Sequence, residues 1–277
     1  VYGHAGGGKL TAFRIRRKKA KGEKVVALTA YDCPTARILD ESGVDLILVG
    51  DSAANVVHGM PTTLTIGMEE MLLHTRSVAA GVRNALVVAD MPFLSYQASI
   101  EDAVRNAGRF LKAGAEAVKV EGATESVLAT IRRLVGLGIP VLGHVGLTPQ
   151  SVHQLGGYRL QARTGREREV LLAGARELEA SGCFGIVIEK VPAEAAAVVT
   201  AALAIPTIGI GAGPECDGQV LVLHDMLGLS GGEPFRFVKR YADLGEAMRR
   251  AVGEYASDVR AGRFPDHGHS FYLDEND

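Results

Sequence analysis

The segment LILVGDS, Leu46 to Ser52, runs through branched apolar residues straight into an acid, and the chain repeats this pattern. LVVAD (86–90) ends on Asp90, AVKVE (117–121) on Glu121 and GIVIE (185–189) on Glu189. A short, continuously apolar run is the mark of a strand buried on both faces, as in a parallel sheet covered by helices. VVALTA (25–30), PVLGHV (140–145), PTIGIG (206–211) and QVLVL (219–223) read the same way. Helical patterns separate these runs. Residues 34–43 end near Gly43, and 68–81 carry Met68, Met71, Leu72, Thr75 and Val78 on one face. Ser99 with Asp102 is a capping signal for a helix reaching Gly114. Further helices are expected from Glu121 to about Leu137, over 166–181 and from 193, with none between the seventh and eighth strands.

Eight strands alternating with helices predict an α/β fold, a (β/α)8 TIM barrel with extra C-terminal helices. An open doubly wound sheet is the alternative, but no GxGxxG follows the first strand. The expected organisation is a flexible tail over 1–17, a single barrel domain over 18–262 with its added helices in 235–262, and a polar tail over 263–277. With 277 residues, 47% of them hydrophobic, the chain can bury such a core. A net charge of -2 gives no general attraction to nucleic acid or anionic membranes. No apolar run reaches the roughly 18 residues of a membrane span. The basic block RIRRKKAKGEK (14–24) is either a nucleic-acid arm or the solvated face of a leading helix. Three widely spaced cysteines, Cys33, Cys183 and Cys216, argue against a disulfide framework and for a reducing, cytoplasmic setting.

In such a barrel the reactive groups project from the C-terminal ends of the strands. Asp51, Asp90 and Glu121 end three successive strands and are expected to converge. Carboxylates crowded together repel one another unless some protonate or a cation neutralises them. Hard oxygen donors without cysteine suit Mg²⁺ or a similar divalent ion. The competing reading of each acid is a helix cap or turn residue. Glu189 is either a general base across the mouth or a strand-end ion pair. Lys119 shares the inward face with Glu121 and is either a substrate-carboxylate contact or a buried ion pair. His144 is either a substrate donor or a satisfied barrel-end histidine, and His74, in mid-helix, reads as structural. GIGAG (209–213) offers backbone N–H groups for an anion, or is simply tight packing. A divalent ion here would chelate a 2-oxo acid and acidify its neighbouring C–H for removal by a carboxylate.

The ordered segments LTAYD (28–32), LVGDS (48–52), ADMPF (89–93), VKVEG (118–122), GHVGLTPQSV (143–152), GGY (156–158), PTIGIGAG (206–213), DGQVLVLHDMLGL (217–229) and HSF (269–271) resemble the ketopantoate hydroxymethyltransferase family. The resemblance covers about Lys18 to Phe271. It implies a barrel assembled as a decamer of two pentamers. It also implies hydroxymethyl transfer from 5,10-methylenetetrahydrofolate to 3-methyl-2-oxobutanoate, giving 2-dehydropantoate for pantothenate and coenzyme A synthesis. Carried over residue by residue, Asp51 and Asp90 are Mg²⁺ ligands with Glu121 in the outer sphere. Ser52 and Lys119 hold the oxo-acid carboxylate, Asp90 and His144 contact the substrate, and Glu189 is the base. The chain departs from the family at Ala53-Ala54-Asn55 (usually Leu-Gly-Met), over Thr62–Gly67, at Gln161-Ala162-Arg163 (usually QGR) and at Lys190 (usually Cys). Two other readings stand beside this one. A relative of isocitrate lyase or phosphoenolpyruvate mutase is expected to carry a KKCGH-like motif, which is absent. A non-catalytic scaffold is opposed by the intact acid set.

Overall fold

The computed structural model describes residues 8–233 and 235–273. Eight parallel strands form a closed barrel in chain order. They are β1 (Val25–Thr29), β2 (Leu46–Val49), β3 (Leu86–Asp90), β4 (Ala117–Lys119), β5 (Val141–Gly146), β6 (Gly185–Glu189), β7 (Thr207–Ile210) and β8 (Gly218–Leu221). The ring shuts where β8 pairs with β1, Leu28 opposite Leu221. Around it lie α1 (Ala12–Ala20), α2 (Cys33–Glu41), α3 (Ala53–Val56), α4 (Met68–Gly81), α5 (Ile100–Lys112), α6 (Glu125–Gly136), α7 (Gly165–Ala180) and α8 (Ala193–Ala202), followed by α9 (Leu223–Met226) and α10 (Leu244–Arg260). As expected, no helix separates β7 from β8. The capping expected at Ser99 forms, with its hydroxyl accepting from the Asp102 N–H.

Side chains on a strand alternate between the barrel interior and the helices. Leu46, Leu48, Leu86, Val88, Ala117, Leu142, Val187 and Ile208 form one buried interior cluster. Ile47, Val49, Val87, Ala89, Val118, Val141, Ile186 and Ile188, on the other parity, are equally buried. The apolar runs of β2 to β7 thus have the two-sided burial they announced, whereas β1 and β8 do not: Val26 is 50% exposed and Gln219 is exposed as well. Following the interior parity to the strand ends gives Asp90 after Val88, Lys119 and Glu121 after Ala117, His144 after Leu142, and Glu189 after Val187. β4 is shorter than expected and stops at Lys119. Glu121 therefore lies just beyond the strand.

Part of the stretch expected to be a tail is ordered. α1 begins at Ala12, inside 1–17, with Thr11 accepting from the Arg14 N–H as its cap. Its Ile15 is fully buried in the interior cluster. Residues 1–7 lie outside the described residues. The basic block is neither an arm nor a purely solvated face. Lys18 pairs with Asp45 at 2.8 Å, Lys19 with Asp217 at 2.9 Å, and Lys24 donates to the Cys216 carbonyl at 2.6 Å. At this N-terminal end, acids also cap exposed backbone. Asp40 accepts from the N–H groups of Arg83, Asn84 and Ala85, Asp45 from Val26, and Asp217 from Thr207.

Contacts gather into two units, one ending at Leu223 and one beginning at His224. The second unit contains α10, which has no buried residue. Its Leu244, Met248, Val252, Tyr255 and Val259 form an exposed apolar stripe at helical spacing. Of the expected polar tail, 267–269 form a short 3-10 turn, and 274–277 lie outside the described residues. Among the described residues no helix is long and apolar enough to cross a membrane.

Candidate active site

The acids singled out by the strand pattern meet at the C-terminal mouth of the barrel. The Asp51 N–H donates to Asp90 Oδ2 at 3.1 Å. Lys119, opposite Asp90 in the β3–β4 register, donates its ammonium to Asp90 Oδ1 and lies 3.9 Å from Glu121 Oε1. Glu121 Oε1 is 3.2 Å from His144 Nδ1, and Oε2 accepts from the Gln150 N–H at 3.0 Å. The other ring nitrogen, His144 Nε2, lies 3.3 Å from Glu189 Oε2, within ion-pair range but off the line of a hydrogen bond. A contiguous chain thus runs from Asp51 through Asp90, Lys119, Glu121 and His144 to Glu189. Asp51, Asp90, Lys119, Glu121 and His144 are buried, while Glu189 keeps 18% of its side chain exposed.

Local backbone makes this approach possible. Gly146, at φ +92, passes so close to β6 that a Cβ there would sit 2.3 Å from the Glu189 carbonyl oxygen. At Gly50 an added Cβ would meet Ser52 Oγ at 2.6 Å, a side-chain tip rather than backbone. The Ser52 hydroxyl is 2.8 Å from that of Tyr31. His74 Nδ1 is 2.8 Å from the Tyr31 carbonyl oxygen, in keeping with the structural part expected of it. Asp32, also at a strand end, caps α2 by accepting from the Thr35 N–H. GIGAG is packed tightly, since a Cβ on Gly213 would fall 2.4 Å from that of Ala193.

The electrostatics follow from burial and crowding. Burial, with the neighbouring charges of Asp90 and Glu121, pushes the Asp51 carboxyl up to about 8. Burial opposes the charge on Lys119, but Asp90, Glu121 and Asp51 outweigh it and hold the ammonium more firmly than usual. Burial also opposes protonation of His144, yet its contacts with Glu121 and then Glu189 raise it to about 9. Glu121 is held below its usual range because the His144 bond and charge, then Lys119, overcome burial. Two cationic groups therefore face four carboxyl groups, and Asp51 is the one left under-compensated.

This imbalance is what a divalent cation corrects, and the donors are the hard oxygens such an ion selects. Among the described residues no three acidic, histidine or cysteine side chains form a complete ligand set. Glu121 has both oxygens engaged, by His144 and Gln150, and so has Asp90, by Lys119 and the Asp51 N–H. Asp51 gives one oxygen to Gln150.

Three groups at the mouth had not been singled out. Gln150 donates from Nε2 to Asp51 Oδ2. The Tyr96 hydroxyl accepts from the Glu121 N–H. The Tyr158 hydroxyl is held above its usual range by burial and by the charges of Asp51, Glu189 and Glu121. Lys190, at the family's usual cysteine position, donates to the Tyr158 carbonyl at 2.6 Å, while its own carbonyl accepts from the Gln161 N–H. That departure fastens a mouth loop and leaves the acid set untouched.

The sequence profile described as ketopantoate hydroxymethyltransferase matches residues 9–267. The 3-methyl-2-oxobutanoate hydroxymethyltransferase of Thermotoga neapolitana is 55% identical over 255 residues, covering 92% of this chain and 94% of that protein. The enzyme of the same name from Geobacter metallireducens is 51% identical over 264 residues, covering 95% and 98%. In three dimensions the chain is similar to 2,3-dimethylmalate lyase, a PEP mutase/isocitrate lyase superfamily member, with TM-score 0.61 and 18% identity over 94% of this chain and 89% of that one. It is also similar to phosphonopyruvate hydrolase in complex with oxalate and Mg++, with TM-score 0.59 and 14% identity over 94% and 93%. These structural likenesses speak for the barrel alone; the near-full-length sequence matches place this chain in the ketopantoate hydroxymethyltransferase family, as an enzyme.

Proposed function

We propose that the barrel mouth transfers a hydroxymethyl group from 5,10-methylenetetrahydrofolate to 3-methyl-2-oxobutanoate, forming 2-dehydropantoate for pantothenate and coenzyme A synthesis. The observation that carries this reading is the hydrogen-bonded and ion-paired line from Asp51 to Glu189, which sets a buried carboxylate pair opposite a partly open carboxylate. Asp51 and Asp90 would hold Mg²⁺ or a similar divalent ion, with Glu121 in its outer sphere. A phosphonopyruvate hydrolase of the same fold was solved with oxalate and Mg++, which supports this part of the reading. When bound, the ion supplies Lewis-acid polarisation of the keto oxygen.

The protein groups have separate tasks. Ser52 and Lys119 hold the substrate carboxylate, and Asp90 fixes the Lys119 ammonium. Glu189 takes the C3 proton of the oxo acid, and its partial exposure gives that proton a way out. His144, next to Glu189, orients the base and contacts the substrate. Water breaks both C–N bonds of the folate methylene group, so that tetrahydrofolate leaves and the carbon stands at the formaldehyde level. The C3 electron pair adds to that carbon, its C=O π pair moves to the oxygen, and that oxygen, protonated, becomes the hydroxyl.

Glu189→Gln tests the assignment directly. The variant is expected to bind the oxo acid while C3 exchange in D₂O, followed by proton NMR, falls about a thousandfold. Exchange at the unaltered rate would remove Glu189 as the base. The same reading takes the catalytic unit as one domain, its start moved from 18 back to α1, and the protein as cytoplasmic, in line with its free thiols. It takes the assembly as a decamer of two pentamers; the exposed apolar stripe of α10 supports contact with another chain and not the number of copies.

A further inference from the structure

Gln150 lies on the loop after β5 and is 6% exposed. Its Nε2 donates to Asp51 Oδ2 at 3.0 Å and to the Met91 carbonyl at 2.9 Å. Its Oε1 accepts from the Tyr96 hydroxyl at 3.0 Å and from Gln97 Nε2 at 2.9 Å. Its backbone N–H donates to Glu121 Oε2 at 3.0 Å. The amide therefore uses two donors and two acceptors, its full capacity. Its orientation is fixed by chemistry. A flipped amide would turn its oxygen toward a carboxylate and a carbonyl, and its nitrogen toward the donor of Gln97.

We infer that Gln150 is a positioning residue for the metal-binding carboxylates, setting Asp51 so that one oxygen is held and the other is left for the cation. The inference rests on the metal reading proposed above. A neutral amide suits this task. It orients Asp51 without cancelling its charge, whereas a lysine or arginine would compete with the cation for it. The same residue grips Glu121 through the backbone, so Asp51 and Glu121 are spaced by one rigid loop residue. Tyr96 extends the support. Its hydroxyl accepts from the Glu121 N–H and donates to Gln150 Oε1, locking amide and acid to each other.

Mn²⁺ titration followed by electron paramagnetic resonance, without substrate, tests this. The probe reports metal affinity independently of turnover. Gln150→Met keeps the volume and removes the amide, and Mn²⁺ affinity is expected to fall at least about tenfold, the scale for groups supporting metal ligands. Tyr96→Phe removes only the far hydroxyl, and a smaller loss of about threefold is expected with circular dichroism unchanged. It also stands in should Gln150→Met fail to fold. Folded variants that bind Mn²⁺ within twofold of the parent would overturn the role of Gln150 and leave the metal reading intact. A parent protein that binds no Mn²⁺ would overturn both.

Discussion

At the two ends of one barrel the same residue type is treated in opposite ways. At the N-terminal end, Asp40 collects three backbone N–H groups, and these donors hold its carboxyl below the usual range although burial opposes them. Asp45 and Asp217 each take a backbone N–H and a lysine. At the C-terminal end, Asp51 has one amide donor and two acidic neighbours, and burial with repulsion drives it up to about 8. One end uses acids to close the ring; the other accumulates charge that the fold leaves uncompensated. Groups that stabilise a fold are satisfied by it, and groups kept for chemistry are held short of satisfaction.

Three experiments would break or sharpen this contrast. The largest effect is expected at the mouth. Asp51→Asn should lower C3 proton exchange about a thousandfold, the scale of losing a group that offsets developing charge. The same change should raise the melting temperature of the metal-free protein at pH 9, where the parent has to ionise a crowded acid. A fall in melting temperature there would mean that Asp51 is structural after all.

The reverse pattern is expected at the other end. Asp40→Ala leaves three backbone donors without their acceptor and should cost about 3 kcal/mol in denaturant unfolding. Its kcat/KM should stay within about twofold of the parent under conditions where the variant is folded. Loss of activity in the folded variant would join the two ends functionally.

The third test is a pH slope. A group whose folded pKa is raised stabilises the fold below its unfolded pKa, and that contribution is lost as pH rises through the folded value. Asp51 moves from 3.8 to about 8, and His144 from 6.5 to about 9. Both make the metal-free protein lose stability on the alkaline side, from about pH 4 for Asp51 and from about pH 6.5 for His144. Asp40, with a lowered pKa, acts oppositely and loses its contribution only as pH falls below its unfolded value of 3.8. Thermal melts from pH 5 to pH 9 should show a downward trend that millimolar Mg²⁺ flattens. A flat profile without Mg²⁺ would mean that the mouth acids are already neutralised.

Much of this was legible because barrel strands announce themselves by continuous burial and end on their functional groups. β3 and β6 have the boundaries that their polar ends imply, Leu86–Asp90 and Gly185–Glu189. The convergence of Asp51, Asp90 and Glu121 followed from strand adjacency. What the pattern left unread was the opposite end of the strands, where acids cap backbone. Asp45 stands just before the second strand as Asp51 stands just after it, and only the sense of the strand separates a cap from a site residue. Gln150 escaped for another reason. A neutral amide in a loop has no periodicity and no charge, and its importance lies in five hydrogen bonds made to residues far away in the chain. The leading helix was among the readings of the basic block, but its lysines advertised solvent although Lys18 and Lys19, with Lys24 beyond the helix, spend their charges on partners.

The closing seam has a consequence for how the chain comes to be made. β1 pairs with β8, and Lys24 reaches a carbonyl 192 residues away. During synthesis the first strand emerges with one edge bare, and its partner follows roughly 10–40 s later at about 5–20 residues per second. In that interval the half-built ring is an open sheet with two free edges, able to recruit any strand that passes. A molecular chaperone would therefore have its greatest influence before Leu221 emerges, and truncations just short of the eighth strand should be the forms most prone to aggregate.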